Sequence, residues 1–334
     1  MNFFKSFLSF SLIAAPFASI QAHDWSTARP DGHAPIGVMG DHTHGPGEWM
    51  ASFRSMYMHM DGNRSGSDDL STAEVNAGYM VAPLEMDMQM HMLGVMYAPI
   101  ENLTLTAMVP YQIITMDHRM RNGMEFDTRT SGLGDLKTGG LYQLKQGEQH
   151  SFHANFALSL PTGSIDEKDA TPMGARSNLP YPMQLGSGTF DLLPGLTYLG
   201  QTDHWSWGSQ ATVTIRLGEN DRDYTLGNRF ATTAWLARKL NSSISLSGRL
   251  NLETWGNIDG ADPRINPMMV PTADASRRGG TRLDLLAGLN VYMPGGALKG
   301  HRIAIEGGVP IAQNLDGPQL KTQWSFTLGW QFAW

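Results

Sequence analysis

The C-terminal segment, residues 323–334, alternates without a break between large apolar side chains and small or polar ones. One parity carries Trp324, Phe326, Leu328, Trp330, Phe332 and Trp334. The other carries Gln323, Ser325, Thr327, Gly329, Gln331 and Ala333. A period of two belongs to an extended strand, whose successive side chains point to opposite faces. Six large apolar residues on one face, running to the final residue, suit a strand that meets lipid better than one laid on a soluble core.

The same period recurs upstream. Phe152, Ala154, Phe156, Leu158 and Leu160 alternate with His153, Asn155, Ala157 and Ser159; Ile244, Leu246, Leu250 and Leu252 alternate with Ser245, Ser247, Arg249, Asn251 and Glu253. Residues 205–216 and 282–291 repeat the pattern, with Arg216, Arg282 and Asp284 in mid-strand. Such charges would face water outside a sandwich, or a wet lumen inside a barrel. About 12 strands are predicted, near 49–60, 86–98, 103–112, 132–144, 150–160, 189–200, 205–217, 225–239, 243–255, 281–293, 301–311 and 321–334. The gaps between them mostly alternate long (61–85, 113–131, 161–188, 218–224, 256–280, 312–320) and short (99–102, 145–149, 201–204, 240–242, 294–300). Lipid offers the backbone no hydrogen-bond partner, so strands that span it must close on themselves. The expected fold is therefore all-β: a transmembrane antiparallel β-barrel with long extracellular loops and short periplasmic turns. A soluble all-β domain is the alternative. Trp49, Tyr97, Tyr111, Tyr142, Trp205, Trp207, Trp235, Trp255, Trp324 and Trp330 lie towards strand ends, as interfacial girdles do. Asp87, His91, Asp135, Lys137, His153, Asn155, Arg216, Arg249, Glu253, Arg282 and Asp284 are expected inside.

Three segments follow from this reading. Residues 1–22 read as a signal peptide, with Lys5 as the positive region, an apolar stretch over 7–18 and cleavage after Ile20-Gln21-Ala22. Residues 23–48 form a periplasmic or plug-like segment rich in His, Gly and Pro. Residues 49–334 form the barrel. The expected location is the outer membrane of a Gram-negative cell. A net charge of −7 argues against nucleic acid as a partner. The chain has no cysteine, which excludes disulfides and thiolate metal sites. No G-x-S-x-G elbow and no strand–helix phosphate loop is found, so an enzyme is not expected.

Methionine and histidine are concentrated early. Fifteen of the 21 methionines fall between Met39 and Met124, and seven of the 11 histidines between His23 and His118. Three clusters, Met56-Tyr57-Met58-His59-Met60, Met86 to Met92 with Met88, Met90 and His91, and Met116-Asp117-His118-Arg119-Met120 with Met124, converge on the outer rim when threaded on an up-and-down barrel. Thioether sulfur favours Cu(I), and imidazole takes Cu(I) or Cu(II). Methionine is also a flexible apolar filler. If Asp87, Gln89 and His91 take the lumen side, Met86, Met88, Met90 and Met92 turn to lipid, whereas Met56, Met58 and Met60 turn inward with Arg54. The two stripes then share no face. A second candidate set is His23, His33, Met39, Asp41, His42 and His44, in a Gly/Pro-rich loop. Cleavage after Ala22 would leave His23 an α-amino group and an imidazole that chelate Cu(II) together.

The chain is similar to a known family. Its final Gln331-Phe332-Ala333-Trp334 resembles the C-terminal signature that barrel assembly machinery reads. The segments Ala34-Pro35-Ile36-Gly37-Val38-Met39-Gly40-Asp41-His42, Gly47-Glu48-Trp49-Met50, Ser131-Gly132-Leu133-Gly134-Asp135-Leu136 and Leu160-Pro161-Thr162-Gly163 resemble the outer-membrane "meta-pathway of phenol degradation" family of transporters. That resemblance implies a gated barrel for small hydrophobic molecules. The Met/His-rich N-terminal third resembles a branch of such proteins tied to copper handling.

Taken together, these readings make the chain an outer-membrane transporter or channel for copper ions captured by its Met/His clusters. A channel for small hydrophobic or aromatic compounds, and a non-transporting surface copper binder, are the alternatives. No cofactor is required; Cu(I) or Cu(II) enters as cargo or ligand. The expected partners are membrane lipid, lipopolysaccharide, and the barrel assembly machinery acting through Trp334.

Overall fold

The computed structural model describes residues 25–334; the expected export signal and His23 lie outside the described residues. One antiparallel sheet closes on itself. Its strands are β1 (Trp49–Gly66), β2 (Val81–Ile100), β3 (Leu103–Met120), β4 (Leu136–Gln146), β5 (His150–Leu160), β6 (Phe190–Gln201), β7 (Trp205–Leu217), β8 (Arg229–Lys239), β9 (Ile244–Trp255), β10 (Gly280–Tyr292) and β11 (His301–Ala333). A ring of alternating directions closes only with an even number of passes. The 33-residue β11 supplies the extra one. Its first limb pairs with β10, from Arg302 to Leu315, and its last limb pairs with β1, from Gln319 to Ala333. Between the limbs, Gln313 Nε2 donates to Thr322 O (2.8 Å) and Thr322 N donates to Gln313 Oε1 (2.9 Å). At the periplasmic end, Trp49 and Trp334 exchange both backbone hydrogen bonds at 2.9 Å and seal the seam.

The strands rise further at the outer end than periodicity suggests. β1, β2 and β3 run through stretches read as loop within 61–85 and 113–131, and β11 runs through 312–320. The strand Glu125–Leu133 pairs with the upper half of β3; the chain then breaks at Gly134 and Asp135, and β4 continues along the lower half. At the opposite end, the connections are as short as residues 101–102 and 147–149.

Burial is inverted relative to a soluble protein. Leu93, Leu105, Val109, Phe156, Leu196, Leu250, Leu285 and Ile303 are exposed on the outer surface, while Arg54, Thr104, His153, Thr197, Arg249, Asp284, Arg302 and Glu306 are buried within. This is the arrangement of a barrel whose skin faces hydrocarbon and whose lumen is polar. Of the aromatic residues expected in the girdles, two turn inward. Trp235 is buried with Ala34, Val38 and Leu199, and Trp255 lines the lumen and donates from Nε1 to Arg278 O (2.7 Å).

The described part of the N-terminal segment, residues 25–48, packs inside the periplasmic half. Its backbone is satisfied by lumen side chains, as buried carbonyls must be. Arg302 donates to Pro30 O (2.7 Å) and Arg29 O (2.8 Å). Arg54 Nε donates to Ile36 O (3.1 Å), and Asn155 Nδ2 donates to Gly40 O (2.7 Å). At the opposite end the loop over 161–189 folds into the mouth. Leu179, Met183 and Leu185 there pack on Met86, Ile114 and Met116.

Candidate metal-binding lumen

Register settles which methionines meet. On β1 and β2 the direct partners are Met56↔Met90, Met58↔Met88 and Met60↔Met86, and on β3 Met86 meets Met116. Directly opposed residues share a face of the sheet. Met56, Met58, Met60, Met86, Met88, Met90 and Met116 all line one lumen cavity of about 530 Å³. The expectation that the β2 methionines turn to lipid is therefore wrong. It rested on Asp87, Gln89 and His91 seeking the lumen. The parity of β2 is instead set lower down, where Leu93 and Val95 face the bilayer. The outward polar residues of β2 find their partners on the outer surface instead of in the lumen. His91 Nδ1 and Ser55 Oγ lie 2.8 Å apart, and His59 Nδ1 and Asp87 Oδ1 2.9 Å apart, with His59 stacked on Trp324 (5.7 Å).

The remaining rim candidates are dispersed. His118 points inward but stacks on Phe126 (4.8 Å) beside a separate cavity of about 320 Å³. Met120 packs on Val81, Val270 and Ala273, and Met124 is exposed in a turn. Neither these two nor His59, His91 and His118 line the cavity that holds the methionine wall.

The wall facing the methionines is ionic. Arg249 Nε lies 2.6 Å from Glu306 Oε1, Arg282 Nε lies 3.0 Å from Asp284 Oδ1, and Arg216 pairs with Asp191. Arg229 and Arg282 share Glu253, at 3.4 and 3.8 Å, whereas Arg278, which also lines the cavity, makes no ion pair with a carboxylate among the described residues. Arg282 Nη1 and Thr322 Oγ1 each approach Met58 Sδ to 3.9 Å.

Below the methionines the N-terminal segment brings together His33, Asp41 and His42, whose ligand atoms lie within 4.8 Å of one another. The rings of His33 and His42 stack at 3.7 Å, and the ring of His44 meets His42 edge-on at 4.9 Å. All four side chains are buried; His42 is 1% exposed. His42 Nδ1 makes an ion-pair contact with Asp41 Oδ1 at 3.0 Å, and among the described residues neither His42 nitrogen nor His44 Nε2 has a hydrogen-bond partner. Burial, then Arg302, holds the His33 imidazole well below its usual range, and burial, then His42, pulls His44 down to about 3. Burial opposes ionisation of Asp41, yet His42 and His33 keep its carboxyl below the ordinary carboxylate range. The cluster thus sets a carboxylate beside two imidazoles, His33 and His44, that burial keeps from taking up a proton. The Met39 carbonyl accepts from Gln210 Nε2 (2.9 Å) on the barrel wall, and among the described residues no contact of its side chain with the cluster is seen. Gln331 and Glu306, which tie this segment to the wall, were not singled out from sequence. Their position on the small or polar parity of β11 was the available signal.

Two short motifs also converge. Asp135 accepts from Gly163 N at Oδ1 (2.9 Å) and from Ser187 N at Oδ2 (2.8 Å), while Thr162 Oγ1 donates to Gly134 O (3.0 Å). This junction fixes the break between Glu125–Leu133 and β4 and holds the inturned loop against it. A side chain at Gly163 would meet Leu185 O at 2.7 Å, so only glycine permits the approach.

A family described as "Putative MetA-pathway of phenol degradation" matches residues 71–262. The chain belongs to this family. Among solved structures it resembles an outer membrane channel from Pseudomonas putida F1, at 14% identity over 88% of this chain and 98% of that one, with a TM-score of 0.60. The NanC porin (12% identity, 85% and 98% coverage, TM-score 0.41) and a FadL homologue from Pseudomonas aeruginosa (11% identity, 94% and 95% coverage, TM-score 0.41) are also similar. No curated protein sequence matches. Fold and family together make this member of the phenol-degradation family a transmembrane antiparallel β-barrel of the outer-membrane kind.

Proposed function

We propose that this channel carries soft copper ions, Cu(I) in the first place, along the thioether wall of its lumen, and that it works in transport rather than catalysis. The observation that carries this reading is the register pairing of Met56, Met58 and Met60 with Met90, Met88 and Met86. It stacks weak sulfur ligands along one side of a wet cavity. Soft thioethers select Cu(I) over hard cations. Several weak sites in series suit conduction, which requires binding that is favourable but readily released. Lipopolysaccharide around the outer rim, and assembly machinery reading Trp334, are the partners we propose with it.

The test is flux into liposomes holding a Cu(I)-selective reporter. The barrel should admit Cu(I), and a variant with Met56, Met58, Met88 and Met90 all changed to Leu should pass it at least about tenfold more slowly, if each lost ligand weakens capture by the usual ligand-set margin. A variant as fast as the parent sinks the proposal. A barrel that binds Cu(I) without passing it is a surface binder instead.

A second reading has its own observation. Leu179, Met183, Leu185 and Leu320 surround Met86 and Met116 with apolar surface, and the family description names phenol degradation. Uptake of a small aromatic compound that survives the Met-to-Leu changes would favour that reading.

A further inference from the structure

We infer that His33, Asp41 and His42 form a resident site for a borderline divalent ion, such as Zn(II), Co(II) or Cu(II), and that the ion staples the N-terminal segment inside the barrel. The ligand chemistry differs from that of the methionine wall. Imidazole and carboxylate suit borderline divalent metals, whereas thioether suits Cu(I). The site therefore stands whether or not copper is the cargo.

Three observations point to an ion. First, the ligand atoms already lie within 4.8 Å of one another; bonds of about 2.0–2.2 Å need separations of at most ~4 Å, a small side-chain adjustment. Second, both nitrogens of His42 and Nε2 of His44 are buried with no hydrogen-bond partner among the described residues, an arrangement that is unfavourable unless something else uses those groups. A metal would use such lone pairs. Third, the outer contacts are set as metal-binding histidines require. His33 Nδ1 lies 3.1 Å from Gln331 Oε1, an atom that only accepts, so Nδ1 carries the proton and Nε2 is left as the ligand. Asp41 Oδ2 is taken by Ala34 N (2.8 Å), leaving Oδ1 beside His42.

The consequence is mechanical. His33 and Asp41–His42 come from the two ends of a tight loop, and His33 is bonded to β11 through Gln331. One ion bridging them would lock that loop and fasten it to the wall. Arg54 and Arg302, which hydrogen-bond the same segment, lie close enough to depress affinity, so exchange rather than permanent capture is expected.

The experiment is Co(II) and Zn(II) titration of the mature full-length barrel in detergent, with His23→Ala throughout to remove the terminal imidazole. Expected are one bound ion per chain and a visible Co(II) d–d band. Both should weaken by more than about tenfold in His42→Ala and, separately, in Asp41→Asn, the order of loss seen when a metal's ligand shell is broken. Heat-modifiable gel migration confirms that each variant is folded. Met58→Leu/Met88→Leu should bind Co(II) like the parent. Failure of this proposal is thus told apart from failure of the thioether reading by which variants lose which ion. A parent that holds no divalent ion, or affinity unchanged in both His42→Ala and Asp41→Asn, overturns the inference.

Discussion

Met58 and Met88 are direct register partners across β1 and β2 and share the lumen face, while their neighbours His59 and Asp87 meet on the outer surface at 2.9 Å. One residue of slip would exchange the two pairs. Because the chain lacks cysteine, single introduced thiols report the register cleanly. Gln89→Cys should react readily with a bulky, water-soluble maleimide on intact cells, and Met88→Cys far more slowly, being enclosed beneath the inturned loop. The opposite ranking would place the methionines outside.

Glu306 joins the barrel wall to the N-terminal segment. It pairs with Arg249 at 2.6 Å and accepts from Gly37 N at 2.8 Å. Glu306→Gln leaves Arg249 buried without its counter-charge, a loss of about 3–5 kcal/mol when such a pair is broken. Gly37→Ala reaches the same contact from the other side, since its Cβ would lie 2.4 Å from Glu306 Oε2 and 2.5 Å from Arg249 Nη2. Both variants should loosen the segment and raise single-channel conductance in planar bilayers. Unchanged conductance in both would mean that the segment is not held there.

Asp135 accepts from two backbone donors, Gly163 N and Ser187 N, at the break above β4. Asp135→Ala should cost about 1–3 kcal/mol for each donor left buried and unsatisfied. Urea unfolding in detergent measures the loss. A variant within 0.5 kcal/mol of the parent, the range of ordinary surface changes, would show that water replaces the carboxylate at no cost.

At the outer loops, Asp166 bridges Arg222 (2.5 Å) and Arg264. Hydrogen bonds from Arg222 and then Arg264 hold its carboxyl down to about 2, from an ordinary value of 3.8. A carboxyl depressed in the folded state stabilises above its unfolded pKa and loses that contribution as pH falls through the folded one. The bridge should therefore be intact above about pH 4 and fade towards pH 2. Asp166 is mostly exposed, so the effect is local and modest. A nitroxide at Met173→Cys, in the adjoining hairpin, should gain mobility over that window. Asp166→Asn should show the mobile spectrum at pH 6. A spectrum indifferent to both changes would remove the bridge as a restraint on the loop.

How much of this was legible beforehand varied with the kind of interaction involved. β5, β7, β9 and the last limb of β11 were readable to within a residue or two, because lipid on one side and water on the other force a period of two into the chain itself. Reading failed for Met86 to Met92. There, polarity in the upper half of β2 was taken for a lumen face, although His91 and Asp87 find partners in Ser55 and His59 on the outer surface. It failed for Trp235 and Trp255 because a girdle residue and a lumen residue look alike when only distance from a strand end is known. The His33–Asp41–His42 grouping was readable as composition, but not as a site separate from Met39.

The sequence by itself determined that this chain closes as a barrel with a greasy skin and a wet interior, since alternation and its handling of backbone hydrogen bonds are local properties of each strand. Only the tertiary structure decided which thioethers share a wall, and that three side chains of a Gly/Pro-rich loop meet beside Gln331. Those outcomes depend on register between strands and on what fills the lumen, and a one-dimensional pattern carries the phase of each strand but not its offset from the next.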